Sequence, residues 1–260
     1  MSHLLCVDIG NTHIVLALMQ NENLLASTRI PSTPLLSDKD YRDAIEDILI
    51  SLSLGKNEIS GSVISSVVPR LSKPLERVCT ALFNDPALII DYTLAIDLKI
   101  KYADPSEVGA DRICNALGAK NRYPSPLIVV DMGTATSFDI VSRNNEYLGG
   151  VIMPGLETAG RDLFERAAKL PKVSFEFPKK VVGKNTRESM QAGLMWGTVD
   201  QIDGMIKRIS DEWGEKDITV IATGGLSEVI AEHSFYIKEV NKTLTLLGMI
   251  DIFKQVRRKT

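Results

Sequence analysis

The stretch Asp8-Ile9-Gly10-Asn11-Thr12 closes the first apolar run of the chain, and Asp131-Met132-Gly133-Thr134-Ala135-Thr136 closes another in its second half. Each follows a short run of strand character, residues 3–8 (HLLCVD) and 126–131 (PLIVVD), and each is followed by a second strand, 14–19 (IVLALM) and 136–141. In both places a strand delivers a carboxylate to a tight turn. Glycine there permits positive φ and close backbone approach, and the N–H groups of such a turn can face a phosphate. Asn11, Thr12, Thr134 and Thr136 add polar side chains. A carboxylate at the strand end is a hard oxygen donor suited to Mg²⁺, directly or through water. Either stretch alone also reads as an Asx-stabilised hairpin turn. Their recurrence favours two hairpins that bracket a triphosphate.

Working outward, each hairpin opens a meander followed by helices. Residues 24–30 make a third strand after the turn at 20–23, and 37–52 carry Ala44, Ile45, Ile48, Leu49 and Leu52 at helical spacing. Residues 62–68 (SVISSVV) read as a β-branched strand ended by Pro69, 70–83 as a helix and 87–90 as a short strand. In the second half, 107–121 is a helix or a loop leading into one. Asn144-Asn145 turns the meander into a strand through Gly149-Gly150, helices are expected over 158–168 and 186–211, and strand 217–222 enters Thr223-Gly224-Gly225 before a helix over 226–232. The strand–Asp-x-Gly–strand unit thus repeats at half-chain scale, with a break at Tyr123-Pro124-Ser125-Pro126. This predicts an α/β chain of two similar lobes, 1–118 and 119–260, each a mixed five-stranded sheet flanked by helices, with ligand bound in the cleft between them.

Composition excludes several classes. With 260 residues the chain can bury proper cores. Its formal net charge of -3 gives no push toward nucleic acid or an anionic membrane, and Arg257-Arg258-Lys259 reads as a solvated end. Three cysteines, Cys6, Cys79 and Cys114, without CxxC spacing argue against a disulfide framework or zinc site; Cys6 and Cys114 read as core residues. The run 4–7 is too short for a signal peptide, and no apolar stretch approaches the ~20 residues that span a bilayer. A cytoplasmic enzyme is the expectation. His3, His13 and His233 share no ligand spacing and read as surface or turn residues. Met190, Met195 and Trp196 form a helical stripe suited to a core or a dimer contact.

Neither GxxxxGK[ST] nor GxGxxG is present, so the P-loop and Rossmann routes to a nucleotide do not apply. Two phosphate hairpins from repeated lobes, with a late Gly-Gly turn suited to a flat base such as adenine, resemble the acetate and sugar kinase, Hsp70 and actin superfamily. That resemblance implies two tandem ribonuclease-H-like lobes. A further block, Tyr102-Ala103-Asp104-Pro105-Ser106-Glu107-Val108-Gly109-Ala110-Asp111-Arg112, narrows it. Together with Ser65-Ser66-Val67-Val68-Pro69, Met153-Pro154-Gly155 and Asn185-Thr186 it resembles the type III pantothenate kinases, from Asp8 to about Gly248.

The resemblance implies ATP-dependent phosphorylation of pantothenate to 4'-phosphopantothenate, the first step of coenzyme A biosynthesis. Asp8, Ile9, Gly10, Asn11, Thr12, His13, Ile14 and Val15 would bind the ATP phosphates, with Asp8 near Mg²⁺ or another divalent cation. Thr134 would contact ATP, and Asp131 would hold K⁺ or NH₄⁺. Tyr102, Gly109, Ala110, Asp111, Arg112 and Thr186 would hold pantothenate, with Asp111 as general base. A homodimer is implied, without nucleic-acid or membrane partners. Physically, Arg112 beside Asp111 would keep it ionised and can pair with the substrate carboxylate; a solvated helix-surface pair is the plain alternative. The chain departs from the family pattern at Asp104, where Asn is usual, and at Ser137, where Thr is common. Two other readings of the fold are a non-catalytic regulator that binds nucleotide or pantothenate, and a kinase or phosphatase with another substrate.

Overall fold

The computed structural model describes residues 3–32, 36–167 and 169–258. In chain order the first half forms β1 (His3–Ile9), β2 (His13–Gln20), β3 (Asn23–Pro31), α1 (Asp38–Ser51), β4 (Ile59–Ser66), α2 (Pro69–Phe83), β5 (Leu88–Ile89), β6 (Lys99–Ile100) and α3 (Ala110–Lys120). The second half forms β7 (Leu127–Met132), β8 (Ala135–Val141), β9 (Glu146–Pro154), α4 (Leu156–Arg166), α5 (Thr186–Trp213), β10 (Thr219–Gly224), α6 (Ser227–Ala231), β11 (Glu239–Val240) and α7 (Leu244–Arg257).

Local signals set the helix boundaries. Ser37 opens α1 with a capping box: the Asp40 backbone N–H donates to the Ser37 hydroxyl, and the Ser37 N–H donates to the Asp40 carboxylate at 2.8 Å. Pro69 occupies the first turn of α2, where a missing N–H costs nothing, and Asn84 ends that helix in the left-handed region at φ 52°. Asn185 caps α5 by accepting from Glu188 N–H, and Gly214 terminates it at φ 72°.

The chain divides into two units. The first holds the described residues up to Arg122, together with Asn145–Tyr147 and those from Thr243 onward. Its sheet has the order β3-β2-β1-β4-β5, with β1 antiparallel to β2 and parallel to β4. Strand alternation gives the sheet two distinct faces. Leu5, Val7, Ile9 and Ile64 point to one face, where they pack with Tyr41 and Ile45 of α1 and Leu71, Leu75 and Val78 of α2. Cys6, Asp8, Val63 and Ser65 point to the other face, which α3 and α7 cover. These two helices cross closely because of glycine. A Cβ on Gly248 would lie 1.9 Å from the Cys114 carbonyl oxygen, and one on Gly118 would lie 2.8 Å from that of Leu244. The Thr245 hydroxyl donates to Asn115 Oδ1 at 2.7 Å beside the crossing.

The second unit contains 123–144 and 148–242. Its strands run in the order β11-β10-β7-β8-β9, with β10 parallel to β7 and to β11 and with β7 and β8 as an antiparallel hairpin. Ile128, Val130, Phe138, Val220 and Ala222 pack against Leu194, Met195, Val199, Ile202 and Ile206 of α5.

His3 is a buried residue within β1: its Nδ1 lies 3.2 Å from the Glu58 carbonyl oxygen and its Nε2 lies 3.1 Å from Gln20 Nε2, so strand pairing has drawn it inside. Arg257 and Arg258 are exposed, in keeping with a solvated end, although Arg257 is helical, pairs with Asp85 and stacks over Phe253; Lys259 lies outside the described residues. The strand expected over 62–68 runs Ile59–Ser66. All three cysteines are buried free thiols. Met190 and Met195 are core residues, while Trp196 is half-buried and packs edge-on against Phe177 and His233.

Candidate active site

In the first unit, β1 carries Asp8 to its end beside Ser65 of β4, and the Val67 N–H continues the pairing by donating to the Ile9 carbonyl at 3.0 Å. The turn that follows is tight: Gly10 N–H donates to the His13 carbonyl at 3.0 Å, and a Cβ on Gly10 would lie 3.1 Å from that oxygen. Ser32, just past the end of β3, supports the turn. Its hydroxyl donates to the Gly10 carbonyl at 2.6 Å and its N–H to the Thr12 carbonyl at 3.0 Å. Asn11, Thr12 and His13 are exposed and Val15 is half-buried, whereas the Ile9 and Ile14 side chains are fully buried in the core. Ile9 and Ile14 therefore have only backbone groups to offer a ligand.

Helix α3 opens on the same sheet face as Asp8. Gly109 is its N-cap, and Ala110, Asp111 and Arg112 form its first turn. The Arg112 N–H donates to Asp111 Oδ1 at 2.8 Å. A Cβ on Gly109 would fall 2.5 Å from that same oxygen and 3.3 Å from Val67 Cγ1, so glycine leaves the space the carboxylate occupies. Burial pushes the Asp111 carboxyl above its ordinary pKa, and the Arg112 N–H and guanidinium pull against that rise. Cys114, one turn further on, is held well above the ordinary thiol pKa by burial first and then by the charges of Asp8 and Asp111. One thiol thus feels both carboxylates.

Arg112 is 8% exposed, so it is not a solvated surface cation. Its guanidinium carbon lies 5.7 Å from the centroid of the Tyr147 ring. Tyr102 lies 6.4 Å from the same ring, centroid to centroid, tilted by 46°. Between Tyr102 and Gly109, Asp104 caps a short 3₁₀ turn over Pro105–Glu107: its Oδ1 accepts from the Ser106 N–H at 2.9 Å and hydroxyl at 2.7 Å. Those two bonds hold its carboxyl below the usual range, so Asp104 caps the turn and carries a negative charge there.

In the second unit, β7 and β8 pair Asp131 with Ser137 and Met132 with Thr136, and Gly133 N–H closes the turn onto the Ala135 carbonyl at 3.0 Å. Gly133 and Thr134 are exposed and Asp131 is half-buried. The start of α4 supports this hairpin: the Thr134 carbonyl accepts from Gly155 N–H at 3.2 Å and from the Thr158 hydroxyl at 2.7 Å. A Cβ on Gly155 would lie 2.2 Å from the Gly133 carbonyl oxygen, so only glycine fits. Gly224 adopts φ +94° at the end of β10, where a Cβ would meet the Met132 backbone at 2.5 Å. Thr186 is exposed in the first turn of α5.

The expected residues therefore form local groups. Asp8, the Gly10 turn, Gly109, Ala110, Asp111, Arg112 and Tyr102 belong to the first unit, and Asp131, Thr134 and Thr186 to the second. Sequence reasoning missed Ser32, Tyr147 and Thr158, whose parts follow from tertiary contacts with no local signature. Among the described residues no group of three or more His, Cys, Asp or Glu could hold a metal ion, and no helix is long and apolar enough to cross a membrane.

A family model described as type III pantothenate kinase matches residues 4–208. A type III pantothenate kinase of Brevibacillus brevis is 42% identical over 252 residues, covering 97% of this chain and 98% of the relative. That of Bacillus cytotoxicus is 40% identical over 249 residues, covering 96% and 95%. Among solved structures, an inorganic polyphosphate/ATP-glucomannokinase from an Arthrobacter species is similar at TM-score 0.52 and 14% identity, covering 98% of this chain and 100% of that one, a likeness of fold. With its two α/β units and repeated hairpins, the chain belongs to the type III pantothenate kinase family.

Proposed function

We infer that this chain transfers the γ-phosphoryl group of ATP to the primary hydroxyl of pantothenate, giving 4'-phosphopantothenate and ADP at the entry to coenzyme A biosynthesis. The observation that carries this reading is the Asp111-Arg112 pair at the start of α3, on the sheet face that also carries Asp8. The pantothenate oxygen attacks the γ-phosphorus, the bond from that phosphorus to the β,γ-bridging oxygen breaks, and the hydroxyl proton passes to the Asp111 carboxylate. Phosphoryl transfer asks the protein mainly for orientation and charge neutralisation. A carboxylate raised by burial is a stronger base than a solvated one, and the Arg112 N–H and charge oppose that rise and favour the ionised form.

In this reading the N–H groups around Gly10, with Asn11, Thr12, His13 and the backbone of Ile9, Ile14 and Val15, hold the ATP phosphates, and Thr134 adds a contact. Asp8 takes Mg²⁺, directly or through water. A single half-buried carboxylate suits an ion that keeps most of its waters and phosphate ligands. When bound, Mg²⁺ offsets the negative charge that develops on the phosphate oxygens. Asp131 holds K⁺ or NH₄⁺ as a second hard oxygen donor. Tyr102, Gly109, Ala110 and Arg112 of the first unit would contact pantothenate, and Thr186 is assigned to the same ligand by the family resemblance alone. A homodimer belongs to the same reading, as does a cytoplasmic setting, which suits three free thiols.

The test is product analysis by mass spectrometry with ATP, Mg²⁺ and pantothenate, in K⁺ and then in Na⁺ buffer. Phosphopantothenate formed in K⁺ and much less in Na⁺ supports the substrate and the cation together. Phosphopantothenate formed equally in both removes the monovalent cation, and none in either removes the substrate.

A further inference from the structure

We propose that Tyr147 is a positioning residue that fixes the plane of the Arg112 guanidinium and so sets the selectivity of the site for a carboxylate-bearing substrate; this rests on the reading that Arg112 pairs with the pantothenate carboxylate. Tyr147 is fully buried, so it supports the site from behind and acts through Arg112.

Its backbone is held firmly. β6 pairs in parallel with the start of β9, placing Ile100 beside Tyr147, and the Lys101 N–H donates to the Tyr147 carbonyl at 2.8 Å. The next residue along, Tyr102, packs its ring against that of Tyr147 at 6.4 Å. The Arg112 guanidinium carbon lies 5.7 Å from the same ring centroid, within reach of the electrostatic attraction between a cation and an aromatic face. A single buried ring thus contacts two residues assigned to pantothenate, and both belong to the same unit as Tyr147.

The orientation has a chemical consequence. Guanidinium is a planar fork whose N–H groups lie in one plane, and two-point pairing with a carboxylate demands that the two planes agree. An arginine side chain has many rotamers, and ordering one from solution on binding costs affinity. A ring that orders the fork beforehand removes that cost for a ligand with a carboxylate and does nothing for a ligand without one. The inference therefore concerns discrimination between charged and neutral ends of the substrate, which a purely structural tyrosine would not affect.

The experiment compares wild type, Tyr147→Phe and Tyr147→Leu for kcat and KM with pantothenate, with pantothenyl alcohol (the carboxylate replaced by a neutral hydroxymethyl group) and with ATP. Wild type should prefer the acid. Tyr147→Phe keeps the aromatic face and should keep that preference within about twofold, whereas Tyr147→Leu should raise KM for pantothenate by roughly tenfold. Its kcat/KM for pantothenyl alcohol and its KM for ATP should stay within about twofold, so the preference falls by the same factor. Should Tyr147→Leu fail to fold, Tyr147→Met serves in its place, and the Phe variant is decisive by itself: lost preference there overturns the proposal. An undiminished preference in a folded Leu or Met variant also overturns it, as does an equal loss for acid, alcohol and ATP. A wild type that phosphorylates neither acid nor alcohol would overturn the proposed function, and this inference with it.

Discussion

Asp8 and Asp111 both press their charge on the buried thiol of Cys114, which ties the end of β1 and the first turn of α3 to one face of the first sheet. In the proposed reaction these would be the carboxylates on the phosphate side and the hydroxyl side, and holding both on one sheet face suits transfer between two bound ligands.

Asp111→Asn should lower kcat by about 10² to 10⁴-fold, the usual worth of a positioned base. Asparagine keeps the size and can accept the same Arg112 N–H, so KM for ATP should change little. Steady-state kinetics with pantothenate varied at saturating ATP checks this.

The same variant should be more stable than wild type at neutral pH. Burial raises the Asp111 pKa in the folded state, so the stability this group contributes is fully present below its unfolded pKa and is lost as pH rises through the folded one. Asparagine never pays that desolvation. The gap in urea midpoint between variant and wild type should therefore be positive at pH 7 and shrink toward zero on acidification. By the same sign, kcat/KM for pantothenate should fall as pH drops through the raised Asp111 pKa. A constant gap across pH would contradict the burial of Asp111.

Gly109→Ala probes position without removing the base. Gly109 sits at φ -58° and ψ 142°, which alanine adopts freely, so the backbone is not the obstacle. The added Cβ, 2.5 Å from Asp111 Oδ1, must displace the carboxylate. Turnover should fall by roughly tenfold or more, since a displacement near 1 Å can cost 10²-fold. The melting temperature should move far less than in a core substitution.

Gly155→Ala and Gly204→Ala should move stability in opposite directions. At Gly155 the Cβ collides with the carbonyl oxygens of Gly133 and Thr134, forcing the second hairpin outward, at a cost of about 1–3 kcal/mol and with a raised KM for ATP. At Gly204, in the interior of α5, a Cβ meets nothing within 4 Å, so better helix propensity should add about 0.8–1 kcal/mol. Urea denaturation reads both.

The parts legible in the sequence are those coded locally. The two Asp-x-Gly hairpins, the helix over 37–52 read from its apolar spacing and the helix that begins at Thr186 each follow from residues within a few positions of one another. Where β6 and β11 pair was not legible, because two-residue strands have no period to read. Nor was the return of α7 to the first unit, since Gly118 and Gly248 reveal their close crossing only once the helices meet. His3 was misread for a related reason: a polar residue opening a strand looks exposed until Gln20 and the Glu58 carbonyl arrive beside it. Among the candidate residues, Asp8 and Asp131 stood out as carboxylates at strand ends and Asp111 through the family resemblance, whereas Ser32, Tyr147 and Thr158 make contacts far along the chain.

The most direct test of the account measures ADP and 4'-phosphopantothenate together, from ATP, Mg²⁺, K⁺ and pantothenate, with wild type and Asp111→Asn side by side and pantothenate binding followed by calorimetry. Wild type should form the two products one for one, and the variant should bind pantothenate but scarcely turn over. A folded wild type that releases no ADP in response to pantothenate, or a variant that turns over as fast as wild type, would contradict it.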